Sequence, residues 1–278
     1  MKRAALRIHT PGKLRQLQKH LDEIHASVET SGYIEDDPVQ FVHAFSEKRE
    51  IEIAGFFAAT MAWGRREIVI AKMDDLLKRM DYKPMEFILN YNSGSYRVLE
   101  TFKHRTLKPV DVEAFIYILQ KIYNQWHDLE QFWAECYQIA NASNRPLLSI
   151  FHEHFFALHP ETPARTFKHI SNPEKGSTCK RLYMFLRWMI RKNSPVDIGI
   201  WNFMPASQLL IPFDVHVARQ SRRYGLLSRK SNDWLAVQEL TEACRVMNPA
   251  DPAVYDFALF GMGALGYQLP NQFILNDI

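Results

Sequence analysis

Residues 209–227 read LLIPFDVHVARQSRRYGLL. An apolar run stops at Pro212, and Asp214 stands where a helix should begin. In the helix that follows, predicted over 214–224, Val217, Ala218, Ser221 and Tyr224 share an inward face. His216, Arg219 and Arg223 fall at i, i+3 and i+7 and form a polar stripe. A carboxylate at the cap position accepts N–H bonds from the first turn, a contribution of about 1 kcal/mol. The same bonds fix its direction, which suits a group that must stabilise positive charge developing in a substrate. Asp214 is therefore read two ways, as a plain cap and as a catalytic acid.

Upstream, residues 178–192 predict a second helix, TCKRLYMFLRWMIRK. Leu182, Phe185, Leu186 and Met189 give its core stripe, while Lys180, Arg187 and Arg191 lie on another face. Lys180 is in the first turn. The free N–H groups and positive dipole end there favour an anion and disfavour an ammonium, which helps an amine act as a nucleophile. Lys180 and Asp214 are 34 residues apart. A 178–192 helix is about 22 Å long, and the connection 193–213 is long enough to return to its start, so the two can converge. From Lys175 to Lys230 the chain carries eleven Lys/Arg against two acids, Asp197 and Asp214. That excess fits a polyanion partner or a solvated basic face.

The rest of the chain reads as all-α. Its 278 residues include 11 glycines, and apolar residues recur at helical spacing. Helices are predicted over 12–28, 38–47, 50–63, 66–81, 83–90, 109–126, 129–140, 145–158, 178–192, 214–224, 232–247 and 252–265. Prolines at 38, 84, 109, 146, 173 and 252 punctuate them. EIEIAGFFAATMAW (50–63) is apolar nearly all round and should be buried, with Trp63-Gly64-Arg65-Arg66 ending it abruptly. Residues 159–178 are the longest weakly structured stretch. Cys136, Cys179 and Cys244 are too scattered for a zinc knuckle or a four-cysteine cluster. With no phosphate-binding glycine motif and no metal-ligand cluster, no cofactor and no metal are expected. The basic MKRAALRIHTPGK is followed by no apolar signal core, and no run is long enough to span a bilayer. A cytoplasmic monomer, one domain over 1–278, is the expectation.

IPFDVHVARQSRRYGLL resembles the segment of helix–hairpin–helix DNA glycosylases in which an apolar stretch ends in Pro-x-Asp and leads into a short basic helix. KGSTCKRLYMF (175–185) is similar to the hairpin and the start of its second helix, with Lys180 at the lysine position. NPADPAVYDFALFGMG (248–263) and the spacing of 34 resemble the archaeal 8-oxoguanine glycosylase branch. Residues 50–66 fit more loosely the buried early helix. The whole chain also resembles an uncharacterised bacterial domain-of-unknown-function family. The chain departs from the usual Leu-Pro-Gly-Val-Gly hairpin, with Ser171-Asn172-Pro173-Glu174-Lys175-Gly176-Ser177 in its place.

The resemblance implies a two-lobed helical bundle with the active-site cleft between lobes, the hairpin and next helix at 170–192 and the catalytic segment at 209–227. It implies a DNA glycosylase and AP lyase acting on double-stranded DNA with a damaged base, an oxidised purine. Lys180 would form the Schiff base and Asp214 would stabilise the sugar cation. Lys175, Gly176, Ser177, Arg181, Arg187, His216, Arg219 and Arg223 would bind DNA. Trp63, Trp188 and Trp201 are the candidates for stacking on an extruded base. The alternatives are a monofunctional glycosylase, or a nucleic-acid-binding protein of the same fold without chemistry.

Overall fold

The structure, a computed structural model, describes residues 9–275. The basic stretch 1–8 lies outside the described residues. The helices are α1 (Pro11–Val28), α2 (Gln40–His43), α3 (Lys48–Met61), α4 (Arg66–Arg79), α5 (Pro84–Asn90), α6 (Tyr96–Leu99) and α7 (Pro109–Gln125). They continue with α8 (Leu129–Ser143), α9 (Leu147–Ala157), α10 (Lys180–Ile190), α11 (Val215–Arg223), α12 (Trp234–Met247) and α13 (Tyr255–Ala264). No strand occurs among the described residues, so the protein is all-α. Of the expected prolines, Pro84 and Pro109 open α5 and α7, as Pro11 opens α1, where a missing N–H costs nothing. Pro146 caps α9, and Pro173 and Pro252 open 3-10 turns. Asp128 and Asp233 cap α8 and α12.

Three differences have local causes. The helix expected over 38–47 shrinks to α2, because Asp37 Oδ1 accepts from Val39 N (3.0 Å) and holds the entry as a turn. The helix expected from 178 begins at Lys180, since Cys179 sits in the left-handed region at φ 52°. It ends at Ile190, where the chain folds back: Ile198 and Gly199 donate to Trp188 O and Trp201 N donates to Met189 O. Between α9 and α10 the chain makes short 3-10 turns at Ala164–His169 and Pro173–Lys175. Asn172 Oδ1 accepts from Glu174 N (2.8 Å), and Gly176 at φ 79° closes the second turn.

Helix α3 is the hub, and every residue from Ile51 to Met61 is buried. It crosses α10 closely at Gly55, where a Cβ would lie 2.7 Å from Met189 Cε and 2.9 Å from Val42 Cγ1. Around it pack α2, α4, α5 and α10, with α7 beyond α5 and α8 and α9 beyond α7. A second group forms where α1 packs on α12 and α13, and α13 on α11. The chain's first and last described helices thus share one side of the molecule.

Buried in α3, Glu52 ties distant elements together. It accepts from Trp201 Nε1 (2.8 Å), Leu129 N (2.9 Å) and Tyr123 Oη (3.2 Å), so it supplies acceptors for the free N–H groups at the start of α8. Burial pushes its carboxyl up to about 7. Trp201 is therefore a core residue anchored by Glu52, and Trp188 is likewise fully buried. Neither can stack on a base, which corrects that expectation for both.

Arg187 of α10 and Arg191 at its C-terminal cap are also turned inward. Arg187 pairs with Asp256 and with Asp197 (3.3 Å) and lies over the Phe257 ring at 4.0 Å. Arg191 pairs with Asp197, with Glu29 (2.8 Å) and with Asp251 (2.7 Å). Burial pushes Glu29 up, but hydrogen bonds from His25 and Arg191 outweigh it and hold the carboxyl at about 2. These ion pairs clamp the end of α1, helix α10, the 194–197 loop and α13. Arg187 is 3% exposed and paired with two acids, so it is not the surface contact to DNA that was expected.

Candidate active-site cleft

Lys180 is the first residue of α10, and Asp214 is the cap of α11. The chain between them returns along α10 as its length allows, and the two side chains line the same two adjoining cavities. The deeper has a volume of about 230 Å³ and includes Tyr33, Asp37, Arg66, Met184, Asp256 and Phe260 in its wall. The outer has a volume of about 550 Å³ and is shared by Trp63, Thr178, Arg181, Val215 and Asn232. The outer volume alone falls within the range of roughly 300–1,000 Å³ common for ligand pockets. Gly64, at φ 106° in the α3–α4 turn, lines both.

Asp214 Oδ1 accepts from His216 N (2.8 Å) and Val217 N (3.0 Å). Oδ2 makes no hydrogen bond among the described residues. One oxygen is thus anchored by the helix amides while the other stays available. Asp128 and Asp233 cap helices in the same way and line neither cavity. Position, rather than capping, sets Asp214 apart.

Lys180 Nζ lies 3.2 Å from Met184 Sδ, one turn along α10, and makes no other hydrogen bond or ion pair among the described residues. Deeper in, burial pushes the Asp256 carboxyl up to about 6 against the pull of Arg187. Lys180 and Asp214 are close enough to act on it in opposite directions. Arg66 forms part of the wall, 5.6 Å from the Tyr33 ring centre and 5.4 Å from that of Phe260, and pairs with Asp37 (3.4 Å).

The cleft brings together Lys180, Asp214, His216, Trp63 and Arg181 from the sequence-derived candidates. His216 packs its Cβ against Gly263 of α13 and lines the deeper cavity. Trp63 is half-buried, with Arg105 stacked 4.6 Å from its ring centre. Arg181 donates to the carbonyls of Thr60 and His169 (3.2 Å for the latter), and burial lowers its guanidinium to about 10. Lys175 and Gly176 are exposed on the preceding turn, and Ser177 Oγ accepts from Cys179 N (3.2 Å). Arg219 and Arg223 are exposed on α11, outside both cavities.

Tyr33, Asp37, Arg66, Met184, Asp256 and Phe260 were not among the candidates. Signals for some were visible: Asp37-Pro38 as punctuation, Arg66 in the abrupt end of the 50–63 helix, and Asp256 with Phe260 in the 248–263 segment. The charge of the site is mixed rather than basic. In the deeper cavity Asp37, Asp214 and Asp256 face Arg66, Lys180 and Arg187. Elsewhere Arg229 pairs with Asp233 (2.6 Å), and Arg222 is bonded to Arg229 O and Asn232.

The fold and cleft define an all-α protein in which two helix N-termini meet at a mixed-charge cavity. Residues 37–265 match DUF2400, described as a protein of unknown function, and the chain belongs to that family. Neither the curated proteins nor the solved structures yielded a match. Among the described residues, no helix is long and apolar enough to cross a membrane, and no group of three or more His, Cys, Asp or Glu is placed to hold a metal ion.

Proposed function

We propose that this cleft removes a damaged base from double-stranded DNA and then cleaves the strand. The observation that carries the reading is the convergence of Lys180 and Asp214, 34 residues apart and on different helices, on the same cavities. The resemblance of 209–227 and 175–185 to helix–hairpin–helix DNA glycosylases points the same way.

In this reading the extruded nucleotide occupies the outer cavity and its base reaches toward the deeper one, where Tyr33 and Phe260 offer aromatic walls and Asp256 and Arg66 polar edges. As the N-glycosidic bond breaks, the base leaves with the bond's electron pair and positive charge develops on the sugar. The Asp214 carboxylate stabilises that charge. The Lys180 amine bonds to C1′ and gives up a proton; the C1′–O4′ bond then breaks, O4′ takes a proton to become a hydroxyl, and C1′ is left as a protonated Schiff base. Loss of a C2′ proton then expels the 3′ phosphate and nicks the strand. An oxidised purine is the substrate that the resemblance implies. Trp63, Lys175, Arg219 and Arg223 are the remaining DNA contacts.

The test is borohydride trapping on a panel of duplexes carrying oxidised, deaminated or alkylated bases, or an abasic site. A covalent protein–DNA adduct is expected with the correct lesion and is lost in Lys180→Gln. No adduct on any duplex removes the lyase activity. Excision without an adduct leaves a monofunctional glycosylase, and salt-sensitive binding with neither leaves a binding protein.

A further inference from the structure

Three carboxylates line the deeper cavity with Lys180, yet the amine contacts none of them within ion-pairing distance. Its partner is the Met184 thioether, 3.2 Å away. A carboxylate or amide oxygen would accept a strong hydrogen bond and tie the nitrogen down. A thioether is a weak acceptor that takes up space without doing so. Residues 180 and 184 are one turn apart on the same face of α10, so the contact is built into the helix. Met184 is 7% exposed and lines the cavity, which gives a small oxidant a route to its sulfur.

We infer that Met184 is a positioning residue that keeps the Lys180 amine free to react, and that its oxidation by a peroxide switches the site off. Hydrogen peroxide transfers one oxygen atom to the sulfur. The sulfur loses two electrons, the sulfoxide forms and water is released. The new sulfoxide oxygen is a strong acceptor, bonded to the sulfur that the Nζ already contacts, and converts a weak contact into one that ties the nitrogen down. The inference rests on Lys180 being the nucleophile of the proposed reaction, but it concerns the amine alone and is tested without DNA.

The full chain is treated with a small aldehyde and borohydride, and alkylation of Lys180 is followed by peptide mass spectrometry, with exposed Lys175 as the internal reference. Met184→Gln, which adds a strong acceptor, should slow labelling of Lys180 by roughly tenfold or more, the size of a hydrogen bond to a charged group. Labelling of Lys175 should be unchanged. Peroxide should slow Lys180 in the wild type by a comparable factor, and a methionine sulfoxide reductase should restore it. The chain has 10 methionines, so the decisive comparison is Met184→Leu, similar in volume and without sulfur. There peroxide should have no effect on Lys180. Should Met184→Gln fail to fold, that comparison still decides. Labelling of folded Met184→Gln at the wild-type rate, or equal peroxide sensitivity in Met184→Leu, overturns the inference. A chain that excises no base yet shows this labelling pattern refutes the DNA reading and leaves the Lys180–Met184 relation standing.

Discussion

Asp214→Asn separates the two roles that one side chain can hold. The anchored oxygen, Oδ1, accepts from His216 N and Val217 N at 2.8 and 3.0 Å. Asparagine offers the same oxygen in the same place, and Asn and Asp are near-equal caps. What changes is the other oxygen, which becomes a neutral amide NH₂ beside the cavities. The cap should therefore survive with a loss of a few tenths of a kcal/mol at most, while the charge that the proposed reaction would use disappears. Removing a preorganised electrostatic group of this kind costs on the order of 10²–10³ in rate. Asp214→Ala loses cap and charge together. Its cap loss of about 1 kcal/mol corresponds to a fall of roughly 2–4 °C in Tm for a chain near this size. The assay pairs single-turnover excision on the lesion identified by trapping with a thermal melt. The expected result is an Asn variant that melts with the wild type and does not excise, and an Ala variant that fails in both. Excision by Asp214→Asn at the wild-type rate would refute the catalytic reading and leave Asp214 a cap like Asp128 and Asp233.

Two further outcomes separate core from site and test the buried carboxylate. Trp63→Ala should weaken lesion-duplex binding, measured by anisotropy, and leave the urea midpoint nearly unchanged, whereas Trp188→Ala, with its indole fully buried, should cost about 3–5 kcal/mol of stability; the reverse pattern would contradict the placement of both. Glu52 has a folded-state carboxyl at about 7 against an ordinary 4.5, so the native state binds its proton more tightly than the unfolded chain. That contribution, about 3 kcal/mol, is fully present below pH ~4.5 and lost as pH rises toward 7. Stability by urea titration should therefore decline across this window, Glu52→Gln should flatten the decline, and an unchanged slope in the variant would show that Glu52 is not its source.

Much of the helical frame was legible because its signals are local. Prolines at helix starts, the Asp214 cap and the all-round apolar character of 50–63 all act within a few turns of the chain. Where the frame was misread, a single local bond or backbone angle decided: the Asp37–Val39 bond that shortened α2, and the left-handed Cys179 that delayed α10. The site was half legible for the same reason. Lys180 and Asp214 stand at helix starts that the sequence announces. Asp256 and Phe260 sit in α13 as two side chains of an apolar helix, and only the packing of α13 beside α11 places them against the cavity. Tryptophans were the poorest guide. A ring suited to stacking on a base is equally suited to filling a core, and for Trp201 the deciding partner was Glu52, 149 residues away.

The same separation explains why the run of cations from Lys175 to Lys230 overstates the basicity of the surface. A count along the chain sees Asp197 and Asp214 as the only acids, but Arg191 is neutralised by Glu29 and Asp251 and Arg187 by Asp256, none of them in that interval. These pairs join α1, α10 and α13, the seam between the two groups of helices, and the cleft lies on that seam. Asp256 belongs to both: its carboxyl completes the pair with Arg187 and also lines the deeper cavity beside Lys180 and Asp214. A charge change in the cavity therefore acts directly on an ion pair that holds the two helix groups together. Occupation of the cleft by a charged sugar intermediate should register in the packing of α13 against α10 as well as at the reacting atoms.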